Sequence, residues 1–340
     1  MNREKFADII DVANRAGVSP ATVSRAFNHP DLVKPATRRK IQKAVEDTGY
    51  IRNRAAQAIH GRRSGTVGLI VPTLDNAIFS NLIQSFSETL NGLGFTMLVA
   101  THGYDLKEEH KLLRSLLEHR IEGIGLIGLD HEDSTYTLLE RRNTPAVAMW
   151  NYQADSRISC VGSDNYTAGQ MAASHIVEQG HRRIGIAFPP TDGNDRAASR
   201  LRGVMDVLTE AGVDIPDHWK LRTQYSISKA KAACLDLFRG DNLPTALIAG
   251  NDVIAQGAVF AATQAGLVLP RDISITGIGD FAGSAEIVPG LTTVKVQSDE
   301  IGEKAAHLLY DLISEPDERN IIRENIDLKF IARATTGPKH

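Results

Sequence analysis

The sequence predicts a small all-α head followed by a larger α/β body, and three observations carry this reading. A tight Ala16-Gly17-Val18-Ser19 break joins two short helical periods near the N-terminus. From Thr66 onward, short β-rich runs alternate with amphipathic helical stretches, the pattern of βαβ units and parallel sheets. Charge divides along the same line. Residues 1–65 hold 13 Lys/Arg against 6 Asp/Glu, a net of +7, and the remainder carries a net of −10. A basic head on an acidic body implies a polyanionic partner for the head alone.

In the head, Asp8 to Ala16 forms one helical period with Ile9, Val12 and Ala13 on one face. Gly17 supplies the left-handed turn. Ser19 caps a second helix and Pro20 takes its first position, where a missing N–H costs nothing. That helix runs to about Asn28, and a third from Pro35-Ala36 to Gly49. The segment Asn53 to Gly61 is a fourth, short helical candidate, too short to be stable alone. Two helices around such a turn make a helix-turn-helix, whose second helix enters the DNA major groove N-terminus first. Ser19, Pro20, Ala21, Thr22, Ser24 and Arg25 then face DNA. Arg25 has the fork that reads guanine, and Pro20 and Ala21 offer only apolar contact. Ser19, Thr22, Ser24 and Asn28 suit phosphates. A packed helical subdomain with no DNA role is the plain alternative.

In the body, strands are predicted at Thr66–Val71, Phe95–Thr101, Gly123–Leu129, Ala146–Met149, Arg183–Phe188, Leu243–Ala249 and Ile273–Ile278, enough for two parallel sheets. Segments near Asp164 and Leu291–Lys295 are candidate crossovers between them. Ligands of open α/β sheets sit beyond the C-terminal strand ends. The loops there contain Asp75 and Phe79; Trp150 and Asn151; Asn194, Arg196 and Arg200; Tyr225; Asn251 and Asp252; and Gly279 and Asp280.

Chemistry is not signalled. Gly277-Ile278-Gly279-Asp280-Phe281-Ala282-Gly283 departs from the dinucleotide fingerprint, and there is no P-loop, H-E-x-x-H or G-x-S-x-G. Asp130-His131-Glu132-Asp133 lacks a second cluster at ligand spacing and reads as a solvated loop. No enzyme activity, cofactor or metal is expected. With Cys160 and Cys234 as the two cysteines, no apolar run of spanning length and no apolar h-region after Met1, a cytoplasmic protein without membrane partners is expected.

Ile10-Asp11-Val12-Ala13, Gly17-Val18-Ser19-Pro20-Ala21-Thr22-Val23-Ser24-Arg25, Asn28, Thr37-Arg38, Gly49-Tyr50 and Asn53-Arg54-Ala55-Ala56 resemble the lactose-repressor (LacI/GalR) family. In the body, Asn251-Asp252, Gly257-Ala258 and Pro289-Gly290-Leu291-Thr292-Thr293-Val294 extend the likeness over nearly the whole chain. The resemblance implies a helix-turn-helix head plus an α/β body of two Rossmann-like lobes of the periplasmic-binding-protein type. It implies domains at 1–51 (head), 52–65 (hinge helix and linker) and 66–340 (body), with lobes of about 66–162 with 293–325 and 163–292 with 326–340. It also implies a repressor acting as a homodimer or dimer of dimers on near-palindromic double-stranded operator DNA. In that pattern Asn53 lies in the hinge, and Ile59 stands where a leucine usually wedges between base pairs. Arg52 stands where proline is frequent. Phe79, Trp150 and Tyr225 would wall the effector pocket, Arg200 matches the ligand-binding arginine, and Arg196 is a nearby polar contact. Gly279 stands where many members carry an acidic residue. That loss, the two arginines and a Gly279-Asp280-Phe281 run like that of the gluconate-linked branch point to a small sugar-like or sugar-acid effector; the alternative is that Gly279 serves a tight turn and Asp280 takes the hydroxyls of a neutral sugar.

Overall fold

A computed structural model describes residues 7–51, 63–75, 78–315 and 320–339. The expected hinge, with Arg52, Asn53 and Ile59, lies outside the described residues. The chain divides into two compact units between Ser64 and Gly65.

The first unit is built from α1 (Ile9–Ala16), α2 (Pro20–Asn28) and α3 (Pro35–Thr48). Asp8 caps α1 through a reciprocal box: its carboxylate accepts from the Ile10 and Asp11 amides, and Asp11 accepts from the Asp8 amide. Gly17 ends the helix at φ 66°, and Gly49 ends α3 at φ 62°. Ser19 caps α2 by accepting from the Thr22 amide at 3.2 Å, with Pro20 following it. Val12, Ala13, Val23, Ile41 and Ala44 are buried together, with Phe27 packed on them. Three helices this short depend on such packing and on their caps. Asp8→Ala should therefore lower the stability of this unit by about 1 kcal/mol; a melt of the full chain followed by a head-specific signal, unchanged in the variant, would contradict that.

The second unit holds two six-stranded sheets. The first orders its strands β11-β5-β4-β3-β1-β2, all parallel, from β1 (Thr66–Val71), β2 (Thr96–Thr101), β3 (Gly123–Ile127), β4 (Ala146–Asn151), β5 (Ser159–Ser163) and β11 (Arg323–Asn325). The second orders β12-β10-β9-β8-β6-β7, from β6 (Ile184–Phe188), β7 (Lys220–Arg222), β8 (Ala246–Ala249), β9 (Ser274–Gly279), β10 (Thr292–Lys295) and β12 (Lys329–Ile331). In the second sheet β12 runs antiparallel to β10. Strands β3 to β6, β8 and β9 are buried along their whole length, as parallel strands covered on both faces must be.

Between strands lie α4 (Ser80–Gly92), α5 (Leu106–Glu118), α6 (Asp133–Arg142), α7 (Asn165–Glu178), α8 (Asp195–Glu210), α9 (Ile227–Phe238), α10 (Asp252–Gln264) and α11 (Ser298–Ser314). The chain crosses between sheets after β5, between β10 and α11, and between β11 and β12. The second crossing falls after Lys295, slightly later than the expected 292/293 boundary, because Thr292 to Lys295 pair with Thr276 to Gly279 in the second sheet. Helices α7 and α8 cross at backbone contact. A Cβ on Gly169 would run into the Arg200 carbonyl, and one on Gly203 into that of Tyr166. This crossing fixes Arg200 relative to the start of α7.

Candidate functional site

Two regions follow from this fold. On the head, Ser19, Pro20, Ala21 and Arg25 are exposed along the first turns of α2 while Val23 is buried beneath them. The remaining polar residues of that face are already committed within the helix. Ser19 and Thr22 share a hydroxyl hydrogen bond at 2.9 Å, and the Asn28 amide donates to the Ser24 carbonyl at 2.7 Å. Arg25 is the one long cationic side chain exposed on that face.

In the body, strand order reverses between β1 and β3 in one sheet and between β6 and β8 in the other. Ligands bind beyond strand ends at such switch points. The loops after β1, β2, β6 and β7 line a cavity of about 420 Å³, with Thr73, Asp75, Tyr104, Asp192, Asn194 and Tyr225 on its walls. Tyr104 and Tyr225 face each other from opposite lobes at 6.0 Å between rings, and the Asn194 amide donates to the Tyr225 hydroxyl at 3.2 Å. Tyr104, Trp150 and Asp280 adopt left-handed backbone at φ 66°, 80° and 55°. Tyr104 was missed in the sequence although it stands just beyond β2, within reach of the same strand-end rule.

Of the expected effector residues, Asp75 and Tyr225 line the open cavity. Phe79 and Trp150 are buried and meet edge to face at 5.2 Å, and Phe281 of the second lobe joins Trp150 at 6.2 Å. Arg200 is 2% exposed. Its Nε donates to Asn165 Oδ1 at 2.7 Å and its Nη1 to the Gly250 carbonyl at 3.2 Å, but Nη2 has no partner. Burial lowers its pKa, a mark of the cost of desolvating the cation. Asn251 caps α10 through Oδ1 and leaves Nδ2 buried and unpartnered. Tyr104 likewise buries a hydroxyl without a partner, and burial pushes that phenol's pKa up.

Four expected effector residues are held elsewhere. Arg196 is engaged with Asp195 and the first lobe. Its Nη1 donates to Asp195 Oδ1 at 2.7 Å and crosses to the Ile127 carbonyl of the first lobe at 3.2 Å. Asn151 also joins this interlobe contact: its amide donates to Asp195 Oδ2 at 2.7 Å, beside the Leu129 amide at 2.8 Å. Asp252 is fully buried and accepts from Thr293 Oγ1, Ser284 Oγ and the Phe281 amide at 2.6, 2.7 and 3.1 Å. Asp280 pairs with Arg333 at 2.7 Å. At Gly279, with φ 137°, the place a Cβ would take is filled by the Phe281 ring. In the Asp130–Asp133 segment, His131 is buried between Glu109 at 2.8 Å and the Gly128 carbonyl at 3.0 Å, bracing the loop that meets Asp195 and Arg196. Among the described residues no group of His, Cys, Asp or Glu is arranged to hold a metal, and no helix is long and apolar enough to cross a membrane.

A helix-turn-helix unit joined to a two-lobed body with a polar, aromatic-walled cleft defines a DNA-binding regulator that senses a small molecule. Residues 8–53 match the bacterial regulatory proteins of the lacI family, and residues 64–334 match the periplasmic binding proteins and sugar binding domain of LacI family. The chain belongs to the LacI family. It is 29% identical over 310 residues to the HTH-type transcriptional repressor PurR of Klebsiella pneumoniae, covering 91% of each chain. A LacI-family transcriptional regulator from Silicibacter pomeroyi superposes with a TM-score of 0.87 at 25% identity, covering 98% of this chain and 100% of that one. The Lac repressor dimer bound to operator shares the fold, with a TM-score of 0.84 at 24% identity and coverage of 98% and 100%. The protein is a ligand-responsive transcriptional regulator, and the relatives it matches are regulators rather than enzymes.

Proposed function

We propose that this regulator is a repressor that acts in the cytoplasm, binds a near-palindromic operator as a homodimer or dimer of dimers, and responds to a sugar acid held in the interlobe cleft. The observation that carries the effector class is the unpartnered Nη2 of buried Arg200. A guanidinium in a low-dielectric site favours a carboxylate. The sugar-binding description of the family fits the rest of the cleft, where Tyr104 and Tyr225 offer faces to a ring and Asp75 and Asp192 accept from hydroxyls. The two carboxylates also favour a second reading, a neutral sugar. With Arg196 turned to Ile127 and Gly279 closed by Phe281, the anionic reading rests on Arg200 alone.

Calorimetry against the matched pair D-gluconate and D-glucose tests the effector. Tighter binding of D-gluconate is expected; tighter binding of D-glucose would select the neutral reading. On the DNA side, Ser19, Pro20, Ala21, Thr22, Ser24, Arg25 and Asn28 form the proposed base- and phosphate-contacting face, with Asn53 and Ile59 in the hinge. Arg25→Ala should cost about 1–3 kcal/mol of operator affinity and relax one base position in each half-site. Gel shifts against a randomised operator library measure both quantities. Equal binding of operator and random DNA by the wild type would end this assignment.

A further inference from the structure

Asn165 opens α7 immediately after the first crossing between lobes, and it is 2% exposed. Its Oδ1 accepts from Arg200 Nε at 2.7 Å. Its Nδ2 faces three acceptors: Asn151 Oδ1 at 3.0 Å, the Ser163 carbonyl at 3.2 Å and the Trp150 carbonyl at 3.3 Å. That surrounding fixes the amide orientation, since only the oxygen can meet the guanidinium and only the nitrogen can meet three oxygens.

The path continues past Asn165. Asn151, at the end of β4, donates in turn to Asp195 Oδ2 at 2.7 Å. Arg200, Asn165, Asn151 and Asp195 thus form one run of hydrogen bonds in which every donor points the same way. It starts on a buried cation and ends on a carboxylate. Aligned bonds of this kind polarise and strengthen one another in a low-dielectric interior. Both ends lie on α8. The run leaves the second lobe at Arg200, passes the crossing at Asn165, enters the first lobe at Asn151 and returns to the first turn of α8. There Asp195 also accepts from the Leu129 amide at 2.8 Å, and Arg196 reaches the Ile127 carbonyl.

We propose that Asn165 is a positioning residue that couples Arg200 to the closure of the two lobes. It aims the guanidinium by taking its Nε, and it ties that guanidinium to the Asp195–Asn151 contact that holds α8 against the first lobe. A ligand engaging Arg200 and the docking of α8 on the first lobe are then one linked event. The link to effector rests on the reading of Arg200 given above; the link between Arg200 and closure does not.

The experiment uses the full chain without ligand. Nitroxides on Glu118→Cys in the first lobe and Asp236→Cys in the second report the interlobe distance by pulsed electron paramagnetic resonance; both sites are exposed, whereas Cys160 and Cys234 are buried. Asp195→Ala should shift the distance distribution to longer values. Arg200→Met should produce the same shift, although Arg200 itself donates to no residue of the first lobe's strands. Asn165→Asp keeps an acceptor for Arg200 but turns an oxygen on three oxygens, so it should open the lobes with Arg200 still held. Combining Arg200→Met with Asn165→Asp should add no further shift. Thermal melts establish that each variant is folded, and if Asn165→Asp does not fold, Arg200→Met alone decides. A background-like distance in Arg200→Met, or fully additive shifts in the double variant, would overturn the proposal. A parallel titration with D-gluconate separates the two readings: absence of binding to the wild type removes the sugar-acid assignment and leaves the ligand-free result standing.

Discussion

Asp252→Ala should lower folding stability by about 3–5 kcal/mol while leaving operator recognition by the separate head unit intact. The carboxylate is fully buried and gathers three donors from two segments distant in sequence, the loop after β9 and strand β10. Alanine strands the Phe281 amide and the hydroxyls of Ser284 and Thr293 in the interior, where each unsatisfied donor costs about 1–3 kcal/mol. Gln256, one turn along α10, braces the same loop through the Ala282 carbonyl at 3.2 Å, so the loop should loosen rather than detach.

A pH signature accompanies this group. Burial raises the Asp252 pKa to about 6 against the three donors that pull it down. The unfolded chain has an ordinary carboxyl, near pH 4. Between those values the folded state holds a proton that the unfolded state does not, so this group's contribution to stability grows as pH falls from about 6 toward 4 and declines as pH rises. Asp252→Asn should abolish that slope. Urea unfolding of both variants across this pH range measures the two effects. A small stability loss with a large loss of effector affinity would instead make Asp252 a ligand contact.

The contrast between Asp252 and its expected role shows where sequence reasoning reaches and where it stops. The head was legible almost residue by residue, because Asp8, Gly17, Ser19, Pro20 and Gly49 punctuate helices through local backbone chemistry. Seven strands were legible from β-rich runs. Strand β5, Ser159-Cys160-Val161-Gly162-Ser163, was not, since only Val161 is β-branched and its extended form follows from lying between β4 and β11. The strand-end rule named the loops after β1, β6 and β7 that line the cavity and passed over the one after β2, which brings Tyr104. It gave no direction to side chains whose partners come from remote segments: Arg196 toward Ile127, Asp252 toward Thr293, Asp280 toward Arg333. Asn165 carried no sequence signal at all; its importance arises from the α7–α8 crossing that brings Arg200 onto it.

Arg200→Met should weaken binding of a carboxylate-bearing effector by about 30-fold or more, the usual consequence of truncating one partner of a buried charged hydrogen bond. The same substitution should leave the melting temperature of the ligand-free protein unchanged or raise it. The guanidinium is buried with two acceptors, Asn165 Oδ1 and the Gly250 carbonyl, and a third nitrogen that nothing satisfies. Desolvating a cation without full compensation is unfavourable, so the resting fold carries this residue at a cost that a ligand's carboxylate would offset. Methionine keeps most of the length and apolar volume while removing the charge. It leaves one side-chain and one main-chain oxygen short of a donor, which limits the gain in stability. Opposite movement of the two quantities is what separates a ligand-reading arginine from a merely structural one, for which affinity and melting temperature fall together. Calorimetry with D-gluconate gives the first quantity and a ligand-free thermal melt gives the second. A parallel fall in both, or an affinity held within a few-fold of wild type, would assign the arginine to the fold rather than to the effector.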